Sequence, residues 1–435
     1  MAAARTTTPD LVAEAGLAPA PDTSATAPAP APTKQELESR AREYIAQEKF
    51  NRRFTLPATD AHDELTVTYA VGGVDSDTAP TVLFIGGMYG GRLLVSMTDH
   101  VGQSLGMRIV VIDRPGMGGS TIVDVGLRLS VWLETVPLLM RTINAQHVSI
   151  AAHSCGVIYA LNTIYELPWI LPPSNRKLYL FSPWVSLEHS GMTMLSISSY
   201  LPSPLINQFD NIVRFVNSTM MPAVHFSGIV SSALPVSSTA DQEGGGSGDS
   251  GRTKPLPRHE RDETCREYCG VSAAEYSARS KELMHAMFEE STRAANHEAL
   301  LSLRKGVAGE WGVCDDYETY PNALEAKMRE FSREIGGGTS RETGQSNLAL
   351  TNNPFVIKAF WAEKDQMIEK KGEKYFNKCF ERFSETNVGS SGDGNEHSYL
   401  LYESEVVPET THDTVVLPQY EALPRALRDM LGRQE

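Results

Sequence analysis

The chain has 435 residues, of which 41% are hydrophobic, 8% aromatic and 21% charged, enough apolar material to bury a large core and too much for a disordered protein. A formal net charge of -15, with no visible basic cluster, argues against nucleic acid or an anionic membrane surface as a partner, because either would repel the chain at long range. The five cysteines, Cys155, Cys265, Cys269, Cys314 and Cys379, are few and odd in number, which fits reduced thiols in a cytoplasmic setting rather than a disulfide framework.

Residues 1–34 are rich in Ala, Pro and Thr and carry Asp10, Glu14 and Asp22, with no apolar core of signal-peptide length; they read as a disordered tail with neither a secretory signal nor an Arg-rich presequence. Lys34 to Phe50 reads as a short polar helix. Arg53–Leu56 and Glu64–Tyr69 then read as an antiparallel pair that opens a sheet. Thr81–Ile85 is a continuous apolar strand running into Gly86-Gly87-Met88-Tyr89-Gly90-Gly91, and Met107–Ile112 is another, ending in Asp113-Arg114-Pro115-Gly116-Met117-Gly118-Gly119-Ser120. A third apolar run, Val148–Ala151, leads into Ala152-His153-Ser154-Cys155-Gly156, after which Val157–Leu161 begins a helix. Leu178–Phe181 is the next strand, and strand–helix alternation of this kind implies a parallel sheet with helices on both faces.

The alternation stops between residues 185 and 353. Met192–Ser218 has near-helical apolar spacing broken by Pro202 and Pro204, residues 241–254 form a Gly/Ser-rich linker, Ser272–Leu303 and Pro321–Ile335 read as charged helices, and Gly336–Ser346 is a second flexible segment. The region reads as a largely helical insertion with low-complexity loops. Cys265 and Cys269, the only close cysteine pair, lack two further soft ligands nearby and read as ordinary helix-surface or linker residues, so no metal is expected. Strand character returns in Phe355–Trp361, which is followed by Glu363 and Asp365, and again in Tyr399–Tyr402 before Val407–Val415, which contains His412. The longest apolar stretches, such as Ile143–Leu161 and Met192–Ile206, are interrupted by polar residues or prolines, so no transmembrane segment is expected.

Strand, glycine turn, helix, strand, Asp-Arg-x-Gly-x-Gly-x-Ser, helix, strand and small-x-Ser-x-small, in that order, resemble the α/β-hydrolase superfamily, and the chain looks like a fungal-type member of it. The resemblance covers roughly residues 64 to 184 and 354 to 432. It implies an α/β-hydrolase fold in two parts, residues 35–184 and 354–435, with residues 185–353 as a mainly helical lid. Ser154 then occupies a nucleophile elbow, a strained turn whose small neighbours let adjacent chains close around it. The superfamily places its acid after the seventh strand, where Asp365 matches its Asp-x-x-aliphatic pattern and Glu363 is the competitor. Of the eleven histidines only His397 and His412 follow Asp365. His412 fits a loop that often reads Pro-Gly-x-Gly-His-x, with Glu409 and Thr411 standing where glycines are usual.

The roles implied are Ser154 as nucleophile, His412 as general base, Asp365 as the carboxylate orienting His412, and the Cys155 and Met88 N–H groups as oxyanion donors. A serine hydroxyl needs an imidazole to take its proton, and the imidazole keeps the useful tautomer only if a carboxylate takes its other N–H. Dehalogenases and epoxide hydrolases of similar fold use aspartate as nucleophile, so Ser154 favours an acyl-enzyme route on a small or medium hydrophobic ester or acyl compound, as in a carboxylesterase or lipase, with no cofactor. The alternative is a non-catalytic scaffold that keeps the fold for ligand or protein binding; Gly86, Ala152, Glu409 and Thr411, all departures from the family pattern, are its support.

Overall fold

In a computed structural model of the protein, the residues described are 31–191, 258–290, 293–304, 310–337, 353–384 and 398–432. Most of the 1–34 tail, the Met192–Ser218 segment, the 241–254 linker, most of Gly336–Ser346 and His397 lie outside them.

After a first helix, α1 (Lys34–Ile45), eight strands form one sheet: β1 (Arg52–Leu56), β2 (Leu65–Gly73), β3 (Thr81–Ile85), β4 (Arg108–Ile112), β5 (Ser149–His153), β6 (Lys177–Phe181), β7 (Phe355–Ala362) and β8 (Leu400–Val407). Their order is β1-β2-β4-β3-β5-β6-β7-β8. Pairing is antiparallel between β1 and β2 and between β2 and β4, and parallel from β4 through β8. This is the topology of the α/β-hydrolase fold.

Every residue of β3, β4 and β5 is buried, as a parallel sheet covered on both sides demands. Alternate residues divide between two cores. Leu83, Ile85, Ile150, Ala152, Leu178 and Leu180 pack with α3 (Arg128–Thr142) and α4 (Gly156–Glu166). Val82, Phe84, Ala151, Tyr179 and Phe181 pack on the opposite face with α2 (Asp99–Leu105) and the C-terminal helix Ala422–Met430. The expected strand at Tyr399–Tyr402 is longer than its apolar residues suggest. β8 pairs with β7 from Phe355↔Leu400 to Ala362↔Val407, and Glu403 and Glu405 lie half-buried within it.

The insertion is helical where described, with Arg258–Cys269, Ala273–Glu289, Arg293–Ser302 and Tyr320–Gly337 as its main helices. The single long helix read over Ser272–Leu303 is two helices, the first ending at Glu290 in extended backbone. Cys269, Tyr276 and Leu283 join the α2 face, whereas Leu301, Trp311, Tyr320 and Leu324 join the α4 face. The chain therefore passes from one side of the sheet to the other between these groups. Cys269 is 7% exposed and packs in the core, unlike the surface position expected for it. Among the described residues no helix is long and apolar enough to cross a membrane.

Candidate active site

Ser154 occupies the turn between β5 and α4 with φ of 51°, the left-handed region that costs a non-glycine residue roughly 1–2 kcal/mol. Three hydrogen bonds hold it there: Ser154 N–H donates to Phe181 O at 3.0 Å, and the Ser154 carbonyl accepts from Val157 N–H at 3.1 Å and Trp184 N–H at 3.2 Å. The small neighbours have a steric reason. A Cβ on Gly156 would stand 2.4 Å from Ile85 O and 2.7 Å from Gly86 O, both backbone atoms at the end of β3.

Asp365 follows β7, and its two oxygens have separate tasks. Oδ1 accepts the Met367 and Ile368 N–H groups at 2.9 and 2.8 Å, while Oδ2 accepts His412 Nδ1–H at 2.8 Å. His412 follows β8, and its Nε2 accepts the Ser154 hydroxyl at 2.8 Å. The two loops are tied together by Lys364 N–H donating to Thr410 O at 2.8 Å and by Lys364 Nζ donating to Glu409 Oε2 at 2.6 Å. Glu409 takes φ of 58° where a glycine is usual. Glu363, the competing carboxylate, is exposed and accepts Glu409 N–H at 2.8 Å, so it closes the loop and leaves His412 to Asp365.

Ser154 and His412 are each 5% exposed, so their interactions are little diluted by water. Burial opposes charge on His412, but Asp365 outweighs it and the imidazole pKa lies above its ordinary value. Burial likewise raises Asp365, yet His412 and the two backbone donors hold its carboxyl below the usual range. His153 is pushed down to about 3 by burial and by His412, so it is neutral, and its Nε2–H donates to the His412 carbonyl at 2.8 Å. Cys155 is pushed up to about 12, mainly by burial, which leaves it a thiol rather than a nucleophile.

The loop after β3 lies directly over the serine, since a Cβ on Gly87 would be 3.2 Å from Ser154 Cβ. Arg114 holds the other side of this loop, donating from Nη1 to Gly86 O and from Nη2 to Gly87 O, each at 2.5 Å. In a planar trans peptide the N–H points opposite to the C=O, so fixing Gly87 O on Arg114 turns the Met88 N–H away from the arginine. Among the described residues neither the Met88 nor the Cys155 N–H donates to another group.

Ligand atoms of His153, His412 and Asp413 lie within 4.8 Å of one another. Both ring nitrogens of His412 and Nε2 of His153 are already engaged, which leaves fewer free donors than a zinc site requires. The structure thus brings Ser154, Asp365 and His412 into one hydrogen-bonded chain, with Cys155 and Met88 beside it. His153 and Arg114 were not singled out by the sequence reading, although both lie inside quoted motifs.

No protein-family model matches the chain, and no curated protein matches it. Solved structures do. A candidate aryl esterase from Burkholderia cenocepacia is 11% identical, with 88% of this chain and 98% of that one covered and a TM-score of 0.46. A candidate lipase from Acinetobacter baumannii AYE is 14% identical over 94% and 100%, with a TM-score of 0.44. An epoxide hydrolase from Vigna radiata is 12% identical over 89% and 100%, with a TM-score of 0.41.

Proposed function

We propose that the protein is a serine hydrolase that works through an acyl-enzyme on a small or medium hydrophobic ester. The observation that carries this reading is the unbroken chain from Asp365 Oδ2 through His412 to Ser154 Oγ, both links at 2.8 Å. A carboxylate on Nδ1–H leaves Nε2 as the basic nitrogen, aimed at the one hydroxyl that must lose its proton. Ser154 Oγ attacks the carbonyl carbon as its proton passes to His412 Nε2, and the carbonyl electron pair becomes an oxyanion facing the Met88 and Cys155 N–H groups. His412 returns the proton to the leaving alcohol. Water then repeats the cycle on the acyl-serine. Met88, half-buried on the loop beside Ser154, supports an apolar group next to the scissile bond. The insertion serves in this reading as the lid over the site.

The test is covalent labelling by a fluorophosphonate, with hydrolysis of p-nitrophenyl esters of increasing acyl length in parallel. The reading requires labelling of the wild type that disappears in Ser154→Ala and His412→Ala. A folded wild type that neither labels nor turns over any ester refutes it, and the fold then serves a non-catalytic role.

A further inference from the structure

Beside the elbow lies a buried charge cluster that the proposed chemistry does not use. Glu298, on the insertion helix Arg293–Ser302, is 0% exposed, as is the Arg128 side chain, while that of Arg114 is 1% exposed. One carboxylate oxygen, Glu298 Oε1, accepts Tyr159 OH at 2.6 Å, accepts Arg128 Nη2 and stands 3.3 Å from Arg114 Nε. Burial works against this carboxylate, but Arg114 and Arg128 outweigh it and hold its pKa below the ordinary range. Arg114 meanwhile spends its other face on the loop carbonyls of Gly86, Gly87 and, at 3.4 Å, Met88. A single guanidinium thus links a carboxylate of the insertion to the backbone of the loop beside Ser154. A second strap runs parallel to it: Glu290 pairs with Arg92, whose own N–H and guanidinium bind Asp113 at 2.6 and 2.8 Å.

We infer that Glu298 is a positioning residue for the oxyanion donors: through Arg114 it keeps the Gly86–Tyr89 loop turned with its Met88 N–H toward Ser154, so that docking of the Arg293–Ser302 helix is a condition of catalysis. The inference rests on the serine-hydrolase reading above. Without the carboxylate, two guanidinium groups stand unpaired in a dry site at the N-terminus of α4, whose dipole is also positive there. Separating them is the cheapest relief, and Arg114 then gives up its carbonyls. Gly86, Gly87, Gly90 and Gly91 leave the loop free to take another backbone conformation once that grip is lost. The insertion is accordingly part of the catalytic site rather than only a cover for it.

The experiment compares Glu298→Gln, Tyr159→Phe and, as a matched control on the other face of the sheet, Tyr179→Phe, which removes a tyrosine–carboxylate hydrogen bond to Asp429 of 2.8 Å. Each full-length protein is assayed for kcat and KM on one p-nitrophenyl ester and for inhibition by a trifluoromethyl ketone with the same acyl chain. The ketone adds Ser154 Oγ to its carbonyl carbon, sends the hydroxyl proton to His412 and leaves an oxyanion that needs the two N–H donors. Loss of oxyanion donors typically costs on the order of 10²-fold or more in kcat. Glu298→Gln is therefore expected to lower kcat by roughly that factor with KM within about threefold, and to weaken the ketone by the same factor. Tyr159→Phe follows the same pattern more mildly and carries the comparison should Glu298→Gln fail to fold, and Tyr179→Phe matches the wild type. Amide hydrogen exchange at residues 86–91 rises in Glu298→Gln whether or not the protein turns over an ester. Unchanged exchange at 86–91, or a kcat loss with undiminished ketone affinity, overturns the inference while leaving the serine-hydrolase reading intact. An inert wild type with accelerated exchange in the variant refutes that reading instead.

Discussion

Replacing Asp365 by Asn tests the site more sharply than removing the nucleophile, because the structure dictates which way the amide must face. Asp365 Oδ1 is held by two backbone N–H donors at 2.9 and 2.8 Å, and an amide nitrogen cannot accept from them. The asparagine oxygen is therefore bound to that side, and its NH2 group takes the place of Oδ2, facing His412 Nδ1. A donor at that position forces Nδ1 to accept, the imidazole proton moves to Nε2, and Nε2 can no longer receive the Ser154 proton. The lost charge adds to this. Two unit charges about 4 Å apart at an effective dielectric constant of about 20 interact by roughly 4 kcal/mol, close to a thousandfold in rate. With the tautomer trap the expected loss in kcat/KM is about 10³- to 10⁴-fold. The assay is kcat/KM for a p-nitrophenyl ester against pH, which reports the free enzyme's ionisations. In the wild type, activity falls with decreasing pH through a value above the ordinary imidazole pKa, since Asp365 raises that of His412 and only neutral His412 accepts the proton. In Asp365→Asn the raising influence is gone and this limb moves to lower pH. A variant that keeps a tenth of the activity, or whose limb stays where it was, would refute the argument.

Three further outcomes follow from the geometry. Ser154→Gly abolishes fluorophosphonate labelling yet raises the unfolding midpoint slightly: relief of the φ of 51° is worth roughly 1–2 kcal/mol, offset by about 0.5–1 kcal/mol of glycine backbone entropy; a lower midpoint contradicts the claim of strain. Gly156→Ala gains up to about 1 kcal/mol of helix propensity but pushes a Cβ to 2.4 Å from Ile85 O, so denaturant titration should find a net loss of about 2 kcal/mol, with slower labelling; a stabilised variant means that β3 yields more easily than supposed. His153→Phe strips the His412 carbonyl of its donor and should cost about 1–3 kcal/mol of stability. Because His153 is neutral with a pKa near 3, the acid limb of the wild-type profile should carry the slope of a single proton, and a two-proton slope tells against that assignment.

What the sequence could disclose was local or ordered along the chain. Ser154 stood out because the constraint on Gly156 is steric and acts between adjacent elements. Asp365 and His412 were reachable because each sits just past a strand of the parallel sheet, where the family resemblance implies the acid and the base. The strand boundaries were less legible. Glu403 and Glu405 look like a loop until their pairing along the whole of β7 is known. Glu298 was hidden for a stronger reason. In a stretch with helical spacing its neighbours make it look like one more solvated glutamate, and the arginine that buries it, Arg128, is 170 residues away. Burial of a charge is decided by its partner, and partners across such distances leave no local pattern. Cys269 is the same failure with an apolar group: its helix is charged enough to look exposed, and only packing against the α2 face accounts for its burial.

The fixed charges near Ser154 are of both signs, and which group each one is tied to matters more than any single contact. In the proposed reaction two charges develop together, a positive one on His412 and a negative one on the substrate oxygen. Asp365 stands behind His412 at 2.8 Å, its carboxyl held below the usual range and so ionised. Behind the loop and the elbow stand Arg114 and Arg128 against the single carboxylate of Glu298, a balance of one net positive charge, with the N-terminus of α4 adding to it. Each developing charge therefore meets a fixed charge of opposite sign already in place and largely shut off from water, so no dipoles need to reorganise at the moment of reaction. A cluster without Glu298 would be more positive still, yet less useful: repulsion between the two arginines would loosen the grip on Gly86 and Gly87 that aims the donors. Geometry limits how much positive charge the site can use, and the carboxylate from the insertion sets that limit.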